Sequence, residues 1–428
     1  MLRCRFSIVL MCLCLTLVGG IGAALEKSSA PRRDTIFARR GFIKVLLPSI
    51  SGTATIRTSG PSDVSCGSQT VRALTGSVTV TGSGGSLAAS ESGKALLSGT
   101  TLQVGSPRPG SMVQLPSGSY RGMVELSRRG GSIRVLNVLL IDEWLKGVLP
   151  AEIGGDSAPE ALKAQAVAAR SEAIFRLASP PHASEGYDFC AGEHCQAYKG
   201  TRLESPTANQ ACDDTLGVVL LSDGDVLNGV YHNLCGGVTA GAEDVWESPP
   251  MPGLVPVFDD PAKGTPNLGT DEALAAFLQR PRPNTFCDCA NRGCADYAKK
   301  YYRWTKTLNA SALSRATGVS RIRDVRVTER RASGRVRKLT IYGDSGSKTM
   351  EKELPIRRAL DLWSGLFVVT VEKTDGHVRS ATFTGAGNGH GVGLCQHGAR
   401  EMALRGASYQ QILAHYYRGA EIEKIYRP

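Results

Sequence analysis

A glutamate set among apolar residues, in the run Val148-Leu149-Pro150-Ala151-Glu152-Ile153, is the first side chain whose chemistry stands out. Partial burial in a loop between two helices would raise its pKa and keep the carboxyl group protonated near neutral pH, as a general acid requires. The same spacing suits a surface glutamate ahead of a helix, and spacing alone favours that plainer reading. Downstream, Lys163, Val167 and Arg170 fall on one face of an alanine-dense segment. Two cations there could hold an anionic or acetamido-sugar ligand, orient Glu152, or form the exposed edge of an amphipathic helix. His182, Cys190, His194 and Cys195 then place two imidazoles and two thiols within 14 residues, in a chain with only seven histidines. A Cys2His2 set suits tetrahedral zinc. Four protein ligands leave no open position for water, so such a site is structural rather than catalytic. A Cys190–Cys195 disulfide beside unrelated histidines is the competing reading.

Two later runs could line a cleft. Tyr231-His232-Asn233-Leu234-Cys235-Gly236-Gly237, followed by Glu243–Trp246, reads as a strand ending in polar residues and a Gly-Gly turn. His232 there is either a donor to a ligand or a histidine satisfied in the core. In Gly387-Asn388-Gly389-His390-Gly391-Val392-Gly393-Leu394-Cys395-Gln396, glycine recurs at every second position, so the backbone must pass close to something. No register gives G-x-G-x-x-G, which removes a dinucleotide site on spacing. His390 and Gln396 are candidate ligand contacts, and a tight glycine-packed core strand is the alternative. Cys287, Cys289 and Cys294, with Cys66 and Cys212, offer local disulfides whose connectivity sequence does not encode.

The elements that must carry these residues fall into an α+β order. Residues 41–140 are rich in Gly, Ser, Thr and Val. Short strands are expected at Phe42–Leu47, Gly76–Gly82, Thr101–Val104 and Ser132–Leu140, with Gly82–Gly85 as a hairpin loop. From 141 to 428 the pattern becomes mixed. A helix from Asp142 is expected to stop at Pro150. The alanine-rich helix through Leu177 is expected to open on a capping box of Ser157 and Glu160. Strands follow at Gly217–Leu221 and Val226–His232, then a Cys-containing insertion near 248–300 with a helix at Asp271–Gln279. Further strands fall at Val325–Val327, Lys338–Tyr342 and Leu366–Val371. A helical pair at Ala399–Arg405 and Tyr409–Tyr417 completes the pattern.

Composition bounds the rest. The chain has 428 residues, a formal charge of +11, 42% hydrophobic residues and 49 glycines; these values exclude a wholly disordered chain. The one long apolar run, Phe6 to Val18, follows Arg3 and Arg5 and precedes Gly22-Ala23-Ala24, the order of a secretory signal peptide over 1–24. Residues 25–40 read as a charged leader. Cleavage leaves nine of the twelve cysteines and a charge of +9. Export to periplasm, cell envelope or exterior removes nucleic acid as a natural partner. A membrane association is expected only if the signal segment is retained.

Taken in order, Val148–Glu152 with Glu160–Arg170, Tyr231–Gly237 with Glu243–Trp246, Tyr302–Trp304, Gly389–Ala399 and Tyr409–Gly419 resemble the blocks of the SpoIID/LytB family (stage II sporulation protein D). The resemblance implies a peptidoglycan lytic transglycosylase, cutting between N-acetylmuramic acid and N-acetylglucosamine on strands stripped of stem peptides and leaving 1,6-anhydro ends. It places the catalytic acid on Glu152 and the matching helix cations on Lys163 and Arg170. It assigns a structural zinc to His182, Cys190, His194 and Cys195, and no organic cofactor. Cys235 and Cys395 lie in blocks that should both border the cleft, and a disulfide between them is expected. The family also contains wall-binding amidase enhancers, so peptidoglycan glycan and a cell-wall amidase are the expected partners.

Overall fold

The computed structural model describes residues 41–246, 248–260, 264–280, 284–289 and 296–426. The expected signal segment and leader, and Cys294, lie outside the described residues.

In the N-terminal part, alternation decides the structure. Ile43, Val45 and Leu47 of strand Phe42–Ser51 point inward, as do Ile133 and Val135 of strand Ser132–Leu140. The two strands pair antiparallel from Phe42↔Leu140 to Ser51↔Ser132 within a seven-stranded sheet. A six-stranded sheet, which includes the hairpin of Ser77–Ser83 and Ser86–Glu91, shares its core through Ile56, Val78 and Val80. The fold is α+β: these β-rich sheets precede the helices and smaller sheets of the rest of the chain.

Strand Ser132–Leu140 runs directly into helix Ile141–Ile153. Pro150 does not stop this helix as expected. It lies inside the last turn, where Gly154 N–H bonds the Pro150 carbonyl at 3.2 Å. Val148, Leu149 and Ile153 are buried around it, and that packing outweighs the donor Pro150 lacks. Glu152 therefore rides on the final turn of a helix rather than in a loop.

The next helix, Pro159–Leu177, has no capping box. Ser157 is buried and its hydroxyl donates instead to the Ile153 carbonyl at 2.9 Å, satisfying the end of the preceding helix. Glu160 accepts the Tyr409 backbone N–H at 2.7 Å. The alanines (Ala161, Ala164, Ala166, Ala168, Ala169 and Ala173) are all buried, which lets this helix sit against several neighbours at once.

Beyond it, the segment expected as one strand over 226–232 is two short pieces, Asp225–Val226 and Tyr231–His232. Tyr231–His232 pairs in parallel with Leu394–Cys395. The intervening chain contains helix Asp271–Gln279, where expected, and two three-stranded antiparallel sheets over 304–385 that share a core of Leu339, Ile341, Phe367 and Phe383. Helices Gln396–Leu404 and Tyr409–Tyr416 return to pack on the alanine-rich helix. Among the described residues no helix is long and apolar enough to cross a membrane.

Arg170 belongs to this scaffold. Its side chain is fully buried, with Nε bonded to Asp142 at 2.8 Å and Nη1 to the Val218 carbonyl at 3.0 Å. Asp142 also accepts from the Tyr426 hydroxyl at 2.7 Å. One guanidinium thus joins the first helix, the central strands and the C-terminal segment. Removing one partner of a buried pair leaves the other charge uncompensated, so Arg170→Ala should lower the unfolding free energy by about 3–5 kcal/mol. Lys163→Ala, at a partly exposed pair with Glu160 and Asp214, should change it by less than about 1 kcal/mol. Urea titration of the two variants measures both, and equal effects would refute the distinction.

Candidate active site

Glu152 opens into a cavity of about 550 Å³ whose lining includes Glu172, Arg176, Glu193, Tyr231, Trp246 and His390. The end of the first helix, the C-terminal part of the alanine-rich helix and the loop 190–198 form one side of it, and residues around Tyr231, Trp246 and His390 form the rest. The loop places the Ala197 backbone N–H 2.7 Å from Glu152 Oε1. Burial nonetheless dominates and raises the Glu152 pKa. The nearby Glu193 carboxylate adds to the rise, while the Ala197 amide and the Tyr231 hydroxyl oppose it.

A second acid shares the cavity. Glu172 is pushed up to about 7, first by burial and further by Glu152, against the opposing pull of Arg176. Arg176 lies one helical turn on, 3.4 Å from Glu172, and also donates to the Cys195 carbonyl at 3.2 Å. Gln196 Nε2 donates to Glu172 at 3.1 Å. The cavity thus holds two carboxyl groups biased towards protonation around one arginine. Trp246, 41% exposed, stands at its edge with its ring 5.2 Å from that of His390.

The four expected metal ligands do come together. Cys190 Sγ is 3.5 Å from Cys195 Sγ, which is 3.5 Å from His182 Nε2 and 3.6 Å from His194 Nδ1. Both sulfurs belong to free thiols, so the Cys190–Cys195 disulfide reading does not hold. His182 Nδ1 is 3.1 Å from Glu185, an arrangement that keeps the proton on Nδ1 and leaves Nε2 for a metal. The residues fit a closed, structural zinc site.

The remaining candidates divide. His390 lines the cavity. Burial and nearby His232 hold its pKa well below the usual histidine range, so it is a neutral ring, with Nδ1 accepting from Val392 N–H at 3.1 Å. His232 also reaches the cavity wall, yet its Nδ1 donates to the Val392 carbonyl at 3.1 Å. Lys163 and Arg170 do not line this cavity, because each is consumed by the ion pairs described above. Gln396 is buried and 3.4 Å from Gln165, also away from it. The alternating glycines are explained by close approach. Gly393 has φ +72°, and a Cβ there would collide with the Val230 carbonyl; one at Gly391 would collide with the Arg335 guanidinium.

The expected Cys235–Cys395 disulfide is absent: both are free thiols. Cys235 Sγ instead lies 3.3 Å from Cys287 Sγ, and its backbone N–H donates to Cys395 Sγ at 3.3 Å. With Asp259 these three thiols form a second buried group able to hold a metal. Of the other cysteines, Cys66 and Cys212 are free and Cys289 is disulfide-bonded.

Residues 129–221 match the family described as Stage II sporulation protein (SpoIID). This stretch is a SpoIID domain, and the chain is a distant homologue of stage II sporulation protein D and the amidase enhancer. This family is associated with peptidoglycan remodelling, and some members are lytic transglycosylases. Residues 240–393 also match a domain of unknown function (DUF8618). The chain's relatives include an uncharacterized protein of Brachyspira hyodysenteriae, 29% identical over 71% of this chain and 72% of the relative. The stage II sporulation protein D of Bacillus subtilis is 27% identical over 66% of this chain and 74% of its own length. The amidase enhancer of the same organism is 27% identical over 65% of this chain, which spans only 40% of that larger protein.

Of the cavity lining, Glu172 and Arg176 lie outside the motifs legible in the sequence, whereas Tyr231 and Trp246 fall in a run expected to line a cleft. Glu172 follows Arg170 by two positions, about 200° around the helix, so attention to the cation face turned away from it. The readable signal was the acid–base pair at Glu172 and Arg176, spaced i, i+4. A folded-state pKa of about 7 against an ordinary 4.5 means that the native protein retains this proton while the unfolded chain loses it. The carboxyl contribution to stability is therefore complete below pH 4.5 and lost as pH rises towards 7. Glu172→Gln should remove that part of the pH dependence of urea unfolding. An unchanged slope between those pH values would contradict the assignment.

Proposed function

We propose that this chain is an exported peptidoglycan lytic transglycosylase that cuts between N-acetylmuramic acid and N-acetylglucosamine, leaving 1,6-anhydro ends, with Glu152 as the acid and then the base. The observation that carries the reading is the Glu152 carboxyl group: half-buried at the wall of a cavity, raised in pKa, and held in place by the Ala197 amide. A protonated Glu152 gives its proton to the glycosidic oxygen as the C–O bond breaks. The resulting carboxylate then takes the proton of the muramic 6-hydroxyl as that oxygen closes on C1. No water is consumed, so the second carboxylate of an ordinary glycosidase is not required.

The surroundings suit that sequence of events. Burial and the Glu193 carboxylate raise the cost of ionising Glu152, which favours the acid at the start. Arg176 can face the muramic carboxylate, and the Trp246 ring offers an apolar face for a pyranose. Zinc on His182, Cys190, His194 and Cys195 would act structurally, fixing the loop that carries Ala197 and Glu193. The signal-like N-terminus supports export, and the positive charge supports attraction to an anionic wall polymer. Glycan denuded of stem peptides is the expected substrate.

Digestion of purified glycan strands, with and without stem peptides, tests the proposal through the masses of the products. Wild type should yield anhydro-muramic ends and Glu152→Gln should yield none while unfolding at the same urea concentration. Full activity in Glu152→Gln would overturn the mechanism. If wild type releases nothing but increases the turnover of an added wall amidase, the enhancer role named for the Bacillus relative is the correct one. Glu193→Gln removes a charge that raises the Glu152 pKa, so the alkaline limb of its rate profile should move to lower pH. Trp246→Ala should raise KM about tenfold with kcat nearly unchanged, as loss of one aromatic contact of roughly 1–1.5 kcal/mol predicts.

A further inference from the structure

A second cluster of metal-binding side chains lies in the core behind the cavity. Cys235, Asp259, Cys287 and Cys395 are each fully buried, and one ligand atom from each lies within 4.8 Å of all the others. They come from three parts of the chain: the turn after Tyr231–His232, the insertion, which supplies both Asp259 and Cys287, and the strand Leu394–Cys395. We propose that these four residues form a second zinc site, a Cys3Asp centre that fastens the insertion and the glycine-rich strand to the back wall of the cavity.

Three observations support this over a set of inert buried thiols. First, a carboxylate sits among the sulfurs. Asp259 receives hydrogen bonds from the Cys287 backbone N–H at 2.7 Å and the Tyr416 hydroxyl at 2.6 Å, which orient it but do not neutralise it. The His415 ring, with Nε2 3.8 Å from Asp259, compensates this carboxylate only when protonated, whereas a divalent ion between it and the thiolates supplies a permanent positive partner. Secondly, backbone amides point at sulfur: Cys235 N–H at Cys395 Sγ and Gly237 N–H at Cys235 Sγ, both at 3.3 Å. Such donors stabilise thiolate charge. Thirdly, the Arg335 guanidinium is fully buried within electrostatic reach of Cys235; its Nη1 is 3.9 Å from Glu353, while Nε and Nη2 have no hydrogen-bond partner among the described residues. A zinc centre with three thiolates and a carboxylate carries excess negative charge, which this cation offsets in part.

The spacing also selects the ion. Thiolates bound at about 2.3 Å to a tetrahedral zinc stand about 3.8 Å apart, close to the 3.3 Å between Cys235 and Cys287. Three soft sulfurs with one hard oxygen suit zinc better than Cu(I), which favours sulfur throughout. A disulfide could use only two of the three thiols and would supply no positive charge to Asp259.

This site is independent of the zinc assigned to His182, Cys190, His194 and Cys195, and the test separates the two. The full-length protein, purified with zinc, is weighed by native mass spectrometry beside Cys195→Ser and Cys287→Ser. One zinc per chain should persist in Cys195→Ser and be lost from Cys287→Ser, whatever the first site holds. Alkylation of the denatured wild type without reductant, followed by peptide mapping, should find Cys235, Cys287 and Cys395 all as thiols. Cys195→Ser without zinc would overturn the proposal, as would a Cys235–Cys287 disulfide. Should Cys287→Ser fail to fold, zinc retention in Cys195→Ser together with the thiol map still decides it.

Discussion

The hydrogen bond from the Ala197 amide to Glu152 is the contact on which the cavity depends. Neither partner could find the other without separate supports. Glu152 is positioned by strand Ser132–Leu140, which continues into its helix without a break. Ala197 is positioned by a loop pinned at both ends. Phe189–Cys190 adds to the sheet edge beside Val45–Leu46, and the Tyr198 hydroxyl donates to Asn137 at 2.9 Å. Arg176 and Gln196 tie the middle of the loop back to the alanine-rich helix. The Cys–His group lies within this same short stretch, so its local geometry and that of the acid are parts of one arrangement.

Electrostatics in the cavity are set by scarcity of compensation. Glu152, Glu172 and Glu193 share one region with Arg176 as the cation among its lining residues. Desolvation disfavours the Glu152 and Glu172 carboxylates, and an ionised acidic neighbour adds to the cost of each. The outcome is opposite to that at Arg170, where a buried charge meets Asp142 and two backbone carbonyls and serves only architecture. Two charged residues on one helix, two positions apart, thus have different roles because their faces look towards different surroundings.

Much of this was legible in the sequence. The β-rich start, the helix Asp271–Gln279 and the strand Ser132–Leu140 follow from alternation and helical periodicity, which are local properties. The Cys–His group was readable because its members crowd into one run. What local pattern could not reveal was destination. Ser157 looks like a helix cap until the preceding helix claims its hydroxyl. Pro150 looks like a stop until its neighbours are buried. Cys235 and Cys395 were placed near each other correctly, yet the third thiol, Cys287, and Asp259 reach them only through tertiary packing, and their arrival changes a disulfide pair into a four-residue cluster. Tyr231 and Trp246 lay within the quoted blocks but carried no local mark distinguishing a cavity wall from a core.

The parallel pairing of Tyr231–His232 with Leu394–Cys395 has a consequence for how such chains can vary. Everything between these two short strands is a closed excursion whose ends are fixed side by side. The entropic cost of closing a loop grows only with the logarithm of its length, so doubling the excursion adds roughly 0.6 kcal/mol. Its two small sheets have their own apolar core and do not draw on that of the cavity region. Length and content of the two-sheet segment over 304–385 are therefore only weakly tied to the position of Glu152, although Trp246 and His390 of the same excursion line its cavity, and a whole folded lobe can be carried there as cargo on a hinge that stays shut.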